Sequence, residues 1–184
     1  YKKVNSYIAT KNAPILSSVR NLPPLGDILR VLKKYDLVPA IFFLKSRADC
    51  DNALLFCKDN LVDDPDRQAR LSQKIQKFSK QSEHIAKHRH LWELEHLAVG
   101  AHHSGQLPSW KLLLETLMTE GLLDAVFATS TVAAGVNFPA RTIVFLNSDR
   151  FNGREFLPLT STEFHQMTGR AGRRGMDHIG FAVA

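Results

Sequence analysis

The sequence predicts an α/β fold: a doubly wound parallel sheet with helices on both faces. Three observations carry it. Short, continuously apolar runs such as residues 39–44 read as strands buried on both sides. Amphipathic helical stretches alternate with those runs along the chain. Polar segments follow the strands, where open parallel sheets carry their ligand loops.

Residues 1–20 carry no clear period and read as a linker or entry segment to a domain over 21–184. Pro23 and Pro24 open a helix with Ile28, Leu29 and Leu32 on one face. The strand at 39–44 comes next. Ser46 and Asp49 have capping-box spacing, which predicts a helix reaching Leu61, with Cys50, Ala53, Leu54, Cys57 and Leu61 facing inward. The acidic, proline-containing stretch 63–66 is a break. Residues 67–97 are basic and helical, with an apolar stripe of Leu71, Ile75, Phe78, Ile85 and Trp92. A second strand is expected over 97–103. Pro108 starts a helix that buries Trp110, Leu113, Leu114, Leu117 and Met118 and stops at Gly121. Further strands are expected over 124–129, 142–146 and 179–184. Between the last two, Thr160 and Glu163 form a second capping box for a helix running toward Gly172.

A chain of 184 residues fits one domain of roughly 100–200 residues. Hydrophobic residues at 44% and charged residues at 23% exclude disordered and low-complexity classes. The longest apolar run, around 38–44, is far short of the ~20 residues of a membrane helix, and the first residues lack a signal-like core. The absence of an initiator Met suggests a piece of a longer protein. The net charge of +6 favours a polyanionic partner, nucleic acid first. Cys50 and Cys57, seven residues apart on one helix, lie about 10 Å apart, too far for a disulfide. They read as core thiols of an intracellular protein.

The polar segments Lys45-Ser46-Arg47, His102-His103-Ser104-Gly105, Thr129-Ser130-Thr131 and Asn147-Ser148-Asp149-Arg150 each close a strand, and together would form a phosphate-reading edge. Gln166, Arg170 and Arg173 fall at i, i+4 and i+7, one face if the helix continues. Gly169 and Gly172 would let another backbone approach closely. Two arginines held together suit a triphosphate, because guanidinium is always charged and binds oxygens in pairs. His84, His88, His90 and His96 lack a nearby cysteine, so the reading is a solvated basic face and no metal site.

The segment Gln166-Met167-Thr168-Gly169-Arg170-Ala171-Gly172-Arg173-Arg174-Gly175 resembles motif VI of superfamily-two helicases. Residues 41–47 resemble motif IV, His102 to Gly105 the strand-end motif that follows, and residues 128–139 motif V. The resemblance spans about 38–184 and is nearest the superkiller-type (Ski2-like) DExH RNA helicases. It implies a second RecA-like domain of the P-loop NTPase superfamily, without its own P-loop. Gly100 and Gly105 have that loop's glycine spacing, but Gln106 and Leu107 follow in place of Lys and a hydroxyl.

Under this resemblance Arg173 is the arginine finger, with Arg170 beside it and Gln166 at the same cleft. Gly135 and Asn137 approach the nucleotide; Asn137 departs from the Asp of DEAD-box proteins and fits the DExH type. Ser46, Arg47, His103, Ser104, Gly105 and Thr129 contact the nucleic-acid backbone. The cofactor is ATP with Mg2+, held mostly by a first RecA-like domain. The partners are that domain and single-stranded RNA, with the chain a monomer in cytoplasm or nucleus. Alone, it is expected not to hydrolyse ATP. A DNA-repair helicase and a non-catalytic binding module on the same fold are the alternatives.

Overall fold

A computed structural model describes residues 25–59, 61–130, 138–147, 149–151, 154–173 and 175–183. In chain order the elements begin with α1 (Leu25–Lys34), β1 (Ala40–Leu44) and α2 (Arg47–Leu55). A helical segment follows, made of α3 (Pro65–Gln81), α4 (Glu83–Ala86) and α5 (Leu91–Leu97). Next come β2 (Val99–His102), α6 (Pro108–Thr119), β3 (Ala125–Thr129) and β4 (Thr142–Phe145). The last are β5 (Asp149–Phe151), β6 (Phe156–Pro158), α7 (Ser161–Thr168) and β7 (Phe181–Val183).

Five strands form one sheet in the order β2-β3-β1-β4-β7, and every pairing is parallel. Ala40 lies opposite both Ala125 and Thr142, and Leu44 opposite Thr129, so the strands end nearly level. The pleat sorts β1 between two cores. Ala40, Phe42 and Leu44 pack with Leu25, Leu29 and Leu32 of α1 and Cys50, Ala53 and Leu54 of α2. Ile41 and Phe43 face the other side, with Leu71 and Ile75 of α3, Leu113 and Leu117 of α6 and Met167 of α7. That two-sided burial is why β1 is apolar at every position. The fold is the doubly wound α/β class that the alternation predicts, of the RecA-like kind that the resemblance implies.

Local chemistry sets the helix ends. Ser46 Oγ accepts from the Asp49 amide at 3.1 Å, and Asp64 Oδ1 from Asp66 and Arg67 at 3.0 and 3.2 Å. Thr160 and Glu163 form the reciprocal box at α7. Gly121 leaves α6 at φ +69°, a conformation glycine adopts without strain. Asp124, 1% exposed before β3, is held between Lys33 at 2.7 Å and Arg67 at 2.6 Å, tying α1 and α3 to the sheet's amino edge.

The structure departs from expectation in several places. α2 stops at Leu55, and Leu61 is exposed, although Cys50 and Cys57 are buried. Burial pushes the Cys57 thiol up to about 12. Trp92 is 49% exposed and stacks on His96, while Leu94 and Leu97 take the inner positions. The helix is interrupted at Ser82 and again before Leu91, and each break resets the phase of the stripe. β5 and β6 pair antiparallel, so Asp149 and Arg150, read as part of a strand-end polar segment, begin a short strand. Among the described residues no helix is long and apolar enough to cross a membrane.

Candidate functional site

The parallel register brings the ends of β1, β2, β3 and β4 to one carboxyl edge. Lys45, Ser46 and Arg47, the His103–Gly105 turn, Thr129 and Asn147 all meet there. Arg47 is exposed at the start of α2, and Ser104 and Gly105 are exposed beyond β2. A Cβ on Gly105 would stand 3.1 Å from the His103 ring and 3.4 Å from Arg47 Cδ, so the two loops adjoin. Ser46 is committed to its helix: Oγ caps α2 and donates to Asp49 Oδ2 at 2.7 Å. Thr129 is nearly buried at the end of β3.

His103 is placed differently from its neighbours. It is 4% exposed, and its Nδ1 accepts from the Gly105 amide at 3.1 Å. Its Nε2 therefore carries the proton and donates to Asp51 Oδ1, also at 3.1 Å. Asp51 also accepts from Gln106 Nε2 at 3.5 Å and from the Arg89 guanidinium, and His90 Nε2 stands 3.2 Å from its Oδ1 without hydrogen-bond geometry. Burial pushes the Asp51 carboxyl up, but the hydrogen bond from His103, the nearby His90 ring and the charge of Arg89 outweigh it and hold it well below the usual carboxylate range. His88 stacks on Trp110 at 3.5 Å between ring centroids and bonds to Gln106 Oε1 at 2.8 Å. His88 and His90 thus lie packed under the loop; the solvated histidine face is limited to exposed His84 and half-buried His96. His102 is buried, edge-on to Phe138, and burial pushes its imidazole down to about 4.

The motif VI segment lies at the opposite edge. α7 ends at Thr168 with Gly169 as its cap, so Gln166, Arg170 and Arg173 do not share a helix face. Tight turns lead out of the helix, and Ala171 then bridges Ala140 in parallel fashion, with the Gly172 amide bonded to Ala140 O at 2.8 Å. Ala140 precedes β4, which puts Arg173 at the amino edge of the sheet. Gly172 adopts φ +87°, and a Cβ on Gly180 would stand 2.3 Å from the Ala171 carbonyl carbon. Gly172 does admit close approach, by the extended backbone at Gly180, whereas Gly169 faces only carbonyls of its own helix.

Gln166 is exposed and Arg170 half-buried. Arg173 donates through Nε to Asp177 Oδ2 and through Nη2 to Asp177 Oδ1, both at 2.8 Å, and its backbone amide adds a third 2.8 Å bond to Oδ2. Asp177 is 3% exposed, and the Arg173 hydrogen bond in first place holds its carboxyl down to about 2. Arg141 Nε stands 3.8 Å from Asp177 Oδ1, and the same guanidinium pairs with Asp36. These four residues line a cleft of about 440 Å³. Gly135 and Asn137 lie outside the described residues.

Residues 28–175 match the helicase conserved C-terminal domain. The chain belongs to that family. It is 37% identical over 160 residues to the human exosome RNA helicase MTR4, covering 85% of this chain and 15% of that protein. It is 36% identical over 183 residues to the chloroplastic DExH-box ATP-dependent RNA helicase DExH15 of Arabidopsis thaliana, covering 98% and 15%. It is 36% identical over 165 residues to the ATP-dependent RNA helicase mtr4 of Schizosaccharomyces pombe, covering 86% and 15%. The helicase domain thus spans about a seventh of the length of these relatives, and they are the DExH type that its motifs resemble.

Two residues of the helicase domain that shape these edges escaped the sequence reading. Asp177 lies four residues after Arg173, and that i,i+4 charge pairing was a usable signal. Asp51 left none, since it meets His103 only through the tertiary fold.

Proposed function

We propose that this domain is the second RecA-like half of an ATP-dependent RNA helicase motor. The observation that carries the reading is the Arg173–Asp177 fork on the amino edge, set apart from the phosphate-type loops on the carboxyl edge. Two separate ligand edges are what a motor needs if it couples a nucleotide to a nucleic acid. Family membership and the three RNA-helicase relatives support the choice of partner.

The donor set fits an anionic nucleotide. Asp177 takes the Nε and Nη2 hydrogens of Arg173, and Nη1 makes no hydrogen bond among the described residues. When bound in the full motor, ATP supplies the phosphoryl group whose transfer to water releases the driving free energy. Arg173 then stabilises negative charge developing on that group, and comparable arginine fingers are worth about 10³–10⁵ in rate. Arg170 and Gln166 stand before it on the same segment, and we assign Gly135 and Asn137 to the nucleotide side by motif. Gln106 and Leu107 stand where a P-loop would carry Lys and a hydroxyl. We therefore leave Mg2+ and most of the triphosphate to a first RecA-like domain, and expect the chain alone to be inactive.

Arg47, Ser104 and Gly105 present charge, a hydroxyl and backbone amides to a phosphate chain, with Thr129 and the capped Ser46 behind them. His103 serves that edge from below, as the support of the turn. We read the domain as monomeric and intracellular; its buried free thiols suit a reducing compartment.

The test is nucleic-acid-stimulated ATP hydrolysis by the full-length protein. Arg173→Ala should remove most turnover and Arg174→Ala little. Near-normal turnover in Arg173→Ala overturns the finger assignment, and stimulation by DNA in preference to RNA moves the protein to the DNA-repair branch.

A further inference from the structure

We propose that Asp177 is a positioning residue that presets the Arg173 guanidinium for nucleotide turnover; this rests on the reading of Arg173 given above. The argument is geometric. An arginine side chain has several freely rotating bonds, and a charge must sit in place before it can stabilise a transition state. Asp177 removes that freedom, because two parallel hydrogen bonds fix both the position and the plane of the guanidinium. It grips one side of the fork, through Nε and Nη2, and leaves Nη1 for a ligand.

The carboxylate is itself held in place. Oδ2 also receives the Arg173 amide, Arg141 approaches Oδ1, and Asp36 holds Arg141 from the turn before β1. The row Arg173–Asp177–Arg141–Asp36 therefore runs along the amino edge from the motif VI segment to the turn after α1. The Asp177 side chain is 3% exposed and that of Asp36 83%, so the row is anchored at the Arg173 end.

The turn does not need the fork in order to close. Arg173 O already accepts from the Met176 and Asp177 amides at 3.0 and 2.9 Å, and Gly175 supplies the positive φ. The side-chain fork is an addition to a turn that its backbone completes, which points to the guanidinium as the object being positioned.

The test uses the full-length motor with Asp177→Asn, Arg173→Ala and the double variant. It reads kcat and KM for ATP, the affinity of a fluorescent ADP analogue, and the affinity for single-stranded RNA without nucleotide. Asp177→Asn should lower kcat about tenfold or more, since misplacement of about 1 Å can cost 10²-fold. KM, ADP affinity and RNA affinity should stay close to those of the parent. In the double variant the loss should equal that of Arg173→Ala alone, because Asp177 acts only through Arg173. A parent-like kcat in Asp177→Asn, or a further loss from it in the Arg173→Ala background, overturns the proposal. Near-normal turnover in Arg173→Ala instead sinks the finger assignment, so the two failures are distinct. If Asp177→Asn does not fold, Asp177→Glu decides: the charge is kept and the fork displaced by one methylene. A folded Asp177→Glu with parent-like kcat overturns positioning, and one with reduced kcat and parent-like ADP affinity supports it.

Discussion

His103 Nε2 donates to Asp51 Oδ1 across 3.1 Å and joins β2's exit to α2, 52 residues apart in sequence. The other ring nitrogen accepts from Gly105, so one imidazole fixes the exposed turn from beneath. Asp51 also gathers His90 and Arg89, which ties the helical segment between α3 and β2 to the same turn. The histidine-rich segment thus acts as a buttress for the carboxyl edge.

Asp51→Ala should therefore do two things. It leaves His103 without its acceptor and His90 and Arg89 without the carboxylate beside them, and breaking this half-buried cluster should cost the chain about 1–3 kcal/mol in urea unfolding. It should also weaken single-stranded RNA binding by the full-length protein several-fold, because Ser104 and Gly105 lose their support. A stability loss with unchanged RNA affinity would show that the turn holds its shape without Asp51.

What was legible in the sequence follows from where the forces act. β1, β3, β4 and the inner face of α6 were readable because burial on a sheet or helix imposes an apolar period. Capping at Ser46 and Thr160 was readable because it is local to three or four residues. The helix over Gln166 to Arg173 was misread. The competing force there is a backbone bridge from Ala171 to Ala140, and the glycines announce a close approach without naming its partner. Trp92 was misplaced for a related reason: an apolar stripe carries across a break only if the phase survives it.

The buried imidazoles predict a pH dependence. His102 is held down to about 4, first by burial and then by the charge of Lys111, and burial also lowers His88, opposed by its Gln106 bond. An unfolded histidine titrates near 6.5, so between about pH 6.5 and pH 4 the unfolded chain binds the extra proton. Stability is therefore full above about pH 6.5 and falls as pH drops toward 4, by on the order of 2 kcal/mol at pH 5 for His102. Glu115, 3.6 Å from His102, has its carboxyl raised by burial and works in the opposite direction near pH 5, weakened by its exposure. Urea midpoints at pH 7 and pH 5 check the sign, and His102→Gln should flatten the difference. A chain more stable at pH 5 would contradict the assignment of a neutral buried His102.

Gly180→Ala tests how the motif VI segment is docked. The new Cβ would meet Ala171 backbone at 2.3 to 2.5 Å, which no side-chain rotation relieves. The segment must move off the sheet edge, at a cost of about 1–3 kcal/mol as for other overpacked sites. Arg173 should move with it, so the full-length variant should lose turnover while RNA binding at the opposite edge survives. Gly175→Ala is the comparison: its Cβ meets nothing within 4 Å, and only the φ of +77° is strained. Equal turnover in Gly180→Ala and the parent would mean that the Ala171–Gly180 contact does not set the position of Arg173.

RNA binding should be electrostatic and local to the carboxyl edge. A single-stranded nucleic acid loses about 0.7 in the slope of log K against log salt for each phosphate contact removed. Arg47, exposed beside Gly105 at the head of α2, is the cation best placed to make one. Arg47→Ala in the full-length protein should weaken binding and lower that slope by about 0.7. Lys34 is also exposed and carries the same charge, but it ends α1 at the amino edge. Lys34→Ala should leave the slope unchanged, since a charge outside the contact path releases no counterion. Fluorescence anisotropy with labelled RNA across a salt series separates the two. Equal slope losses in both variants would mean that net charge alone attracts RNA, and the carboxyl edge would then lose its standing as the binding surface.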